Sequence, residues 1–333
     1  MNIHRRITVA RVRTVRRADR ISISAPGDFS LYAAEANDDP RGATGPLLPY
    51  CADILRGRSL YVGGADPKGV QTAPFYYLHL RRNARSIISV PWERGRLYES
   101  PARVPIFLFS PGRCGSTLLS RILSDAGAPN VSEPDFYTQL TTAAVASDFN
   151  PFRQAIQRAV ANMGSDLALM LSPARPPVVK LRAESCRAPG LLVRASERRT
   201  LFMTRQFESW ARSNGRAFRN GPKKSVGKYM RAISAYAWLK RNSDCHLVHY
   251  EDLLEDASTT MAKLGAFIDH TISPSNVAAT MKEDSQGGTP LEQGIRADRP
   301  GWEKRFEGAM ALWNSDNVKR ARDRLGVDEL FVR

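Results

Sequence analysis

Gly112-Arg113-Cys114-Gly115-Ser116-Thr117 is the stretch of this chain whose residue types could bind an anion. Two glycines let the backbone turn tightly, Arg113 brings a full positive charge, and Ser116 and Thr117 bring hydroxyl donors. Before it runs a short apolar segment (Val104, Ile106, Phe107, Leu108, Phe109), which reads as a strand buried on both faces. After it, from about Ser116, an amphipathic helix is expected with Leu118, Leu119, Ile122 and Leu123 on one face and Gly127 placed to end it. Strand, glycine-bearing turn and helix N-terminus together cradle a phosphate-like anion. Backbone N–H groups point into the turn, and the helix dipole places about half a positive charge there.

Which anion follows from the residues around the turn. A nucleoside-triphosphatase loop needs GxxxxGK[ST], with a lysine for the β- and γ-phosphates and a hydroxyl on magnesium. Here Gly112 is followed by Arg-Cys-Gly-Ser-Thr, with no Gly-Lys pair. A cysteine-phosphatase loop needs an arginine at a fixed distance after its cysteine, and Cys114 to Arg121 is one residue too long. Pro111-Gly-Arg-Cys-Gly-Ser-Thr-Leu-Leu119 instead resembles the 5′-phosphosulfate loop of the sulfotransferases that use 3′-phosphoadenosine 5′-phosphosulfate, typically Pro-(Lys/Arg)-Ser-Gly-Thr-Thr. Cys114 and Ser116 keep small residues at the substituted positions. The resemblance implies that Gly112, Arg113, Cys114, Gly115, Ser116 and Thr117 hold the 5′-phosphosulfate.

Three further segments resemble the same family, over about residues 104–310. Arg205 stands at the C-terminal end of an expected strand, where open α/β sheets bind ligands, and Ser213 follows eight residues later. The pair has the separation of the family's 3′-phosphate site. Leu247-Val-His-Tyr-Glu-Asp-Leu253 is similar to the family's strand-ending Tyr-Glu-Asp-Leu, which implies that Tyr250 lies near the nucleotide. Arg299-Pro-Gly-Trp-Glu-Lys-Arg-Phe306 resembles the terminal Gly-x-Trp or Gly-Trp segment, whose basic residues close over the nucleotide. The family's Arg-Lys-Gly triplet is absent there, and Arg299 or Arg296 stands in for it.

The resemblance also implies a reaction. Sulfuryl passes from the donor to a hydroxyl acceptor (an amine is the second choice) in an in-line transfer driven by positioning and electrostatics. The moving group carries less charge than a phosphoryl group, so no metal is expected. Arg113 would stabilise the leaving oxygen. The family's small-molecule enzymes take the acceptor proton with a histidine in Lys-Thr-His, but Val179-Lys-Leu-Arg182 has an arginine there. Glu133, about twenty residues beyond the loop, matches the glutamate that the protein-tyrosine and carbohydrate branches use as base. A glutamate starts near pKa 4.3, so partial burial would have to raise it. Lys180 would be a second catalytic cation, or else a strand-end lysine reaching solvent. The acceptor could be a small molecule, a carbohydrate or a peptide. Two other readings stand beside this one: a catalytically silent nucleotide- or polyanion-binding module, and an atypical P-loop phosphotransferase.

The elements that must position these residues alternate. Strands are expected at Pro177–Arg182, Arg199–Thr204 and His246–Tyr250. Helices are expected after Asn150-Pro151, around Phe207, Trp210 and Ala211, through Val226, Met230, Ile233 and Ala237, and through Met261, Leu264 and Ile268. Such alternation implies an α/β fold, a three-layer doubly wound parallel sheet carrying the P-loop-like phosphosulfate loop. Residues 283–301, rich in Gly, Pro and charge, read as a mobile loop before a terminal helix at about Ala309 to Leu325. Residues 1–100 read as a separate, mostly β appendage ahead of the sulfotransferase-like domain at 101–333. Ile7 to Val15, Ser59 to Gly63 and Phe75 to Leu80 look strand-like there, with turns at Asp38-Asp-Pro-Arg-Gly and Asp66-Pro-Lys-Gly. Its open roles are a substrate entrance, a homodimer contact or a shield for the sheet edge.

Composition narrows the class. The 333 residues are 42% hydrophobic, ordinary for a globular protein, and no apolar run approaches the roughly 18 residues of a membrane span. Seven arginines fall by residue 20 with no apolar core after them, unlike a secretory signal. Four scattered cysteines without paired spacing fit a reducing compartment, so a cytoplasmic location is expected. The formal charge of +16 suits polyanionic partners, among which a multiply charged nucleotide is expected and nucleic acid is not.

Overall fold

The computed structural model describes residues 6–16, 18–20, 22–32, 35–36, 45–98, 104–172, 174–193, 199–283 and 299–331. The turn expected at Asp38 to Gly42, most of the loop expected at 283–301, and Arg296 lie outside the described residues. The fold is mixed α/β, with parallel strands and a strand-rich N-terminal part. Among the described residues no helix is long and apolar enough to cross a membrane.

In the N-terminal part, β1 (Thr8–Val15), β2 (Phe29–Leu31), β3 (Glu35–Ala36), β4 (Leu47–Asp53), β5 (Arg58–Gly63) and β6 (Ser86–Pro91) form an antiparallel sheet in the order β2-β1-β6-β5-β4, with β3 also on β1. Further along follow β7 (Ile106–Phe109), β8 (Asn130–Ser132), β9 (Val178–Lys180), β10 (Arg199–Thr204) and β11 (Asp244–His249). By compactness the chain divides into Met1–Ile106 with Gly127–Leu181, and Phe107–Ala126 with Arg182–Arg333.

The first unit holds the antiparallel sheet, the parallel pair β8 and β9, and the helices Asp135–Val145 and Asn150–Leu171. Two expectations fail here. Phe75 to Leu80 is not a strand: residues Tyr76–Asn83 form a helix that buries Tyr76, Tyr77, Leu78, Leu80 and Arg81. Aromatic residues favour strands locally, but burial of nearly the whole first turn and a half against the rest of the unit overrides that preference. Arg81 is fully buried and donates to Tyr50 Oη at 2.9 Å and the Arg20 carbonyl at 2.9 Å, with Asp28 at 3.2 Å as its counter-charge. Asp66-Pro67-Lys68-Gly69 is a helix start rather than a free turn, because Asp66 accepts the Lys68 and Gly69 N–H groups and caps Pro67–Thr72. The long helix begins at Asn150 itself, so Phe149 occupies the cap position and no side chain caps it. Its buried Asp166 accepts from Tyr61 Oη at 2.8 Å and the Leu97 N–H at 3.0 Å, and burial raises its pKa.

The second unit is built on three parallel strands in the order β11-β10-β7. Helices follow each of them: Ser116–Asp125 after β7, Phe207–Ala217 after β10, and Tyr250–Glu255 then Ala257–Phe267 after β11. The C-terminal ends of the three strands therefore present the glycine turn, Arg205 and Tyr250 side by side. Helix Pro222–Asn242 buries Val226, Tyr229, Ile233, Tyr236, Ala237 and Leu239, while Met230 stays partly exposed. The single terminal helix expected at Ala309 to Leu325 is two, Trp302–Trp313 and Asp316–Asp323. Ser315 ends the first by donating its hydroxyl to the Leu312 carbonyl at 2.6 Å. Trp313 stacks on Phe207 with centroids 4.0 Å apart, holding the terminal helix to the back of the Arg205–Ser213 segment.

Candidate active site

All four residues of β7 are buried, so the chain leaves the sheet interior abruptly at Ser110. Ser110 Oγ accepts the Gly112 N–H at 3.3 Å and lies 3.5 Å from Ser116 Oγ, closing the turn on itself. Gly112 (φ +70°), Arg113 (φ +59°) and Gly115 (φ +85°) are all left-handed, and a turn of this hand gathers backbone N–H groups on its concave side. Helix Ser116–Asp125 then buries Leu119, Ile122 and Leu123, which directs its N-terminus into the turn. Cys114 is buried, with Sγ donating to the Met203 carbonyl on β10 at 3.5 Å. Its side chain faces the sheet, which leaves its backbone as the part that serves the turn.

The three motifs of this unit meet around that turn. Arg113 Nε donates to Ser213 Oγ at 3.4 Å, across 100 residues of sequence. Trp210, on the same helix as Ser213, donates Nε1–H to the Gly112 carbonyl at 2.6 Å. Arg205 lays its guanidinium over the Tyr250 ring at 4.4 Å and donates Nε–H to Ser209 Oγ at 2.9 Å. Tyr229 donates its hydroxyl to the Arg205 carbonyl and lies 3.2 Å from Thr204 Oγ1. Arg299 is held by its backbone, its N–H donating to the Arg216 carbonyl at 3.2 Å, and its side chain is exposed. Arg216 in turn covers Trp302 at 4.6 Å.

Tyr250 packs so tightly on Gly115 that a Cβ there would fall 2.3 Å from Tyr250 Cδ2. Gly115→Ala should therefore push the Tyr250 ring away while also straining the left-handed backbone. The expected cost is about 2 kcal/mol or more, together with weakened anion binding. Urea unfolding checks the first part, and an unchanged midpoint would contradict the packing described.

Ser209, Trp210 and Lys228 were not among the expected site residues. Lys228, on helix Pro222–Asn242, brings Nζ within 3.7 Å of the point a Cβ on Gly112 would occupy. No local pattern marks it, since only packing of that helix carries it to the turn. Cys186 donates Sγ–H to the Ser110 carbonyl at 3.5 Å, and burial pushes this thiol up to about 12. Burial also raises the Tyr229 hydroxyl well above its usual range. Both groups stay protonated at neutral pH, so the positive charge around the turn comes from its arginines and Lys228, with the Glu251 carboxylate beside Arg205 accepting from Ser209 Oγ at 3.4 Å and the Gln206 N–H at 3.0 Å.

Glu133 and Lys180 belong to the first unit. The parallel register pairs Ser132 with Lys180, and the Glu133 N–H donates to the Lys180 carbonyl at 2.8 Å. Lys180 Nζ donates to Glu133 Oε1 at 2.6 Å and to Ser132 Oγ at 3.2 Å. The lysine side chain is only 4% exposed and the glutamate 16%, so Lys180 does not reach out to solvent. Glu133 also has φ +62°. Among the described residues three non-glycine positions have positive φ, and two of them are Arg113 and Glu133; the third is Asp269. Side chains held in this sparsely populated region gather at functional sites.

A left-handed glycine turn, a helix N-terminus, two arginines and several hydroxyls lie together at the ends of three parallel strands, the place where open α/β sheets bind ligands. No protein-family model matches the sequence, and no curated protein matches it significantly. Among solved structures the chain is similar to the sulfotransferase domain from the curacin biosynthetic pathway, at 14% identity and a TM-score of 0.40, over 68% of this chain and 99% of that one. It is similar to the sulfotransferase domain of the Synechococcus PCC 7002 olefin synthase, at 12% identity and a TM-score of 0.42, over 71% and 98%. It is also similar to retinol dehydratase in complex with androsterone and the inactive cofactor PAP, at 13% identity and a TM-score of 0.35, over 87% and 98%.

Proposed function

We propose that this chain is a sulfotransferase that uses 3′-phosphoadenosine 5′-phosphosulfate and a hydroxyl-bearing acceptor. The observation that carries the proposal is the 3.4 Å contact between Arg113 and Ser213. Two residues singled out from separate motifs, one for each end of the nucleotide, come together at one glycine turn. The turn suits the group: its donors are guanidinium, hydroxyl and backbone N–H, and Gly112 and Gly115 permit the left-handed backbone that gathers those N–H groups.

The bound donor supplies an activated sulfuryl group whose bridging oxygen gains negative charge on transfer. Arg113 stabilises that oxygen, and Ser116, Thr117 and the turn's backbone hold the 5′ side. Arg205 and Ser213 hold the 3′-phosphate, with Tyr250 flanking Arg205. Glu133 takes the acceptor proton, and Lys180 is its counter-ion. Arg299 is assigned to the segment that closes over the nucleotide.

Calorimetry on the purified chain tests the cofactor. Adenosine 3′,5′-bisphosphate should bind without added metal and more tightly than adenosine 5′-phosphate. Each charge-assisted contact to the 3′-phosphate contributes about 1.5–3 kcal/mol. Arg205→Ala should remove most of that preference. Equal affinity for the two nucleotides in the unaltered chain would sink the assignment.

A further inference from the structure

The glycine turn lacks a lysine of its own, because Ser116 follows Gly115 where a triphosphate-binding loop would carry one. The fold brings one from elsewhere. Lys228 Nζ lies 3.7 Å from the point where a Cβ on Gly112 would stand, against the bare face of the first glycine in the turn. Gly112 holds φ +70°, a conformation that favours glycine, and the Ala183 Cβ stands 3.5 Å from the same point, so small groups on both sides let the ammonium approach the turn.

The placement is set by the helix rather than by the lysine. Two residues along the same helix dock it on the strand and helix that present Arg205 and Ser213. Tyr229 donates to the Arg205 carbonyl, and Ser225 Oγ accepts from Asn214 Nδ2 at 3.1 Å. The ammonium also lies 5.5 Å from the centroid of the exposed Phe218 ring, a second contact that favours this position of the head group.

We infer that Lys228 is a further cation of the anion site, taking the ligand oxygens nearest Gly112 while Arg113 takes those toward Ser213. The inference deepens the sulfotransferase proposal and rests on it for the identity of the ligand, but the cation itself does not depend on that identity. A lysine is a compact point charge with three rotatable donors, which suits oxygens whose positions shift during transfer.

Binding of inorganic pyrophosphate, adenosine 5′-phosphosulfate and adenosine 3′,5′-bisphosphate to the full chain tests it, with unaltered protein, Lys228→Met, Lys228→Arg and Arg205→Ala compared. Lys228→Met keeps the apolar stem and helix propensity, and circular dichroism with a melting curve confirms folding. It should weaken pyrophosphate and the phosphosulfate by about ten- to a hundredfold, with Lys228→Arg recovering much of the loss. Arg205→Ala is the comparison for the other end of the ligand, and it should weaken the bisphosphate more than pyrophosphate. Less than a threefold loss for both probes in folded Lys228→Met overturns the inference, and does so without touching the cofactor proposal if the bisphosphate preference persists. Conversely, loss of pyrophosphate binding in Lys228→Met, in a chain that does not prefer the bisphosphate, upholds the cation and refutes the nucleotide. A chain that binds none of the three probes refutes both.

Discussion

Glu133→Gln is expected to leave adenosine 3′,5′-bisphosphate binding intact and to lower acceptor sulfation by roughly two to four orders of magnitude, the usual worth of a general base. Glutamine keeps the volume and can still accept from Lys180, but it has no basic lone pair to receive a proton. The left-handed backbone at φ +62° is unaffected, since both residues are unbranched L-amino acids. The change does strip a 4%-exposed ammonium of its counter-charge at 2.6 Å, so some loss of stability accompanies it. Acceptor acidity separates chemistry from stability. A phenol surrenders its proton more readily than an aliphatic alcohol, so its rate should fall less; a merely structural defect would slow both alike. Near-normal rates with both acceptors would place the base elsewhere. Glu184, His246 and His249 would then be tested in turn, although burial lowers the His246 pKa and its ring already stacks on Phe267 at 5.1 Å.

Arg113→Ala should cost about a hundred- to a thousandfold in turnover, more than it costs in nucleotide affinity. A guanidinium aimed at a leaving oxygen interacts more strongly as charge develops there, so its loss appears in the chemical step. The backbone gives this variant a clear interpretation. Position 113 has φ +59°, a conformation as strained for alanine as for arginine, so the substitution changes the side chain without relaxing the turn. Arg113→Gly is the matching control: it removes the same guanidinium and the strain, and it should be as inactive as the alanine variant. Parallel losses of affinity and turnover, with unchanged single-turnover chemistry, would make Arg113 a binding residue only.

Much of the candidate site was legible in the chain before its structure. The apolar run at 104–109, the two glycines and the helix beginning at Ser116 are local constraints, and local backbone preference decides them. Arg205 and Tyr250 were found for a related reason. Arg205 directly follows a short buried strand, and Tyr250, marked by its resemblance to a strand-ending Tyr-Glu-Asp-Leu, follows the more polar strand beside it, and the C-terminal ends of neighbouring parallel strands lie together.

What the sequence could not decide depends on packing across distance. Tyr76 to Asn83 became a helix because its neighbours bury five of its residues, from Tyr76 to Arg81, although its aromatic residues favour a strand. The left-handed backbone at Arg113 and Glu133 has no glycine to announce it, and it emerges only from the surroundings that enforce it. Lys180 and Glu133 are 47 residues apart, and they pair because the register of β8 on β9 sets Ser132 beside Lys180. Lys228 lies on a long helix among other cations, with nothing in its spacing to distinguish it. It reaches Gly112 because Tyr229 and Ser225 dock that helix, and a docking angle is set by side chains meeting in three dimensions, which no one-dimensional pattern encodes.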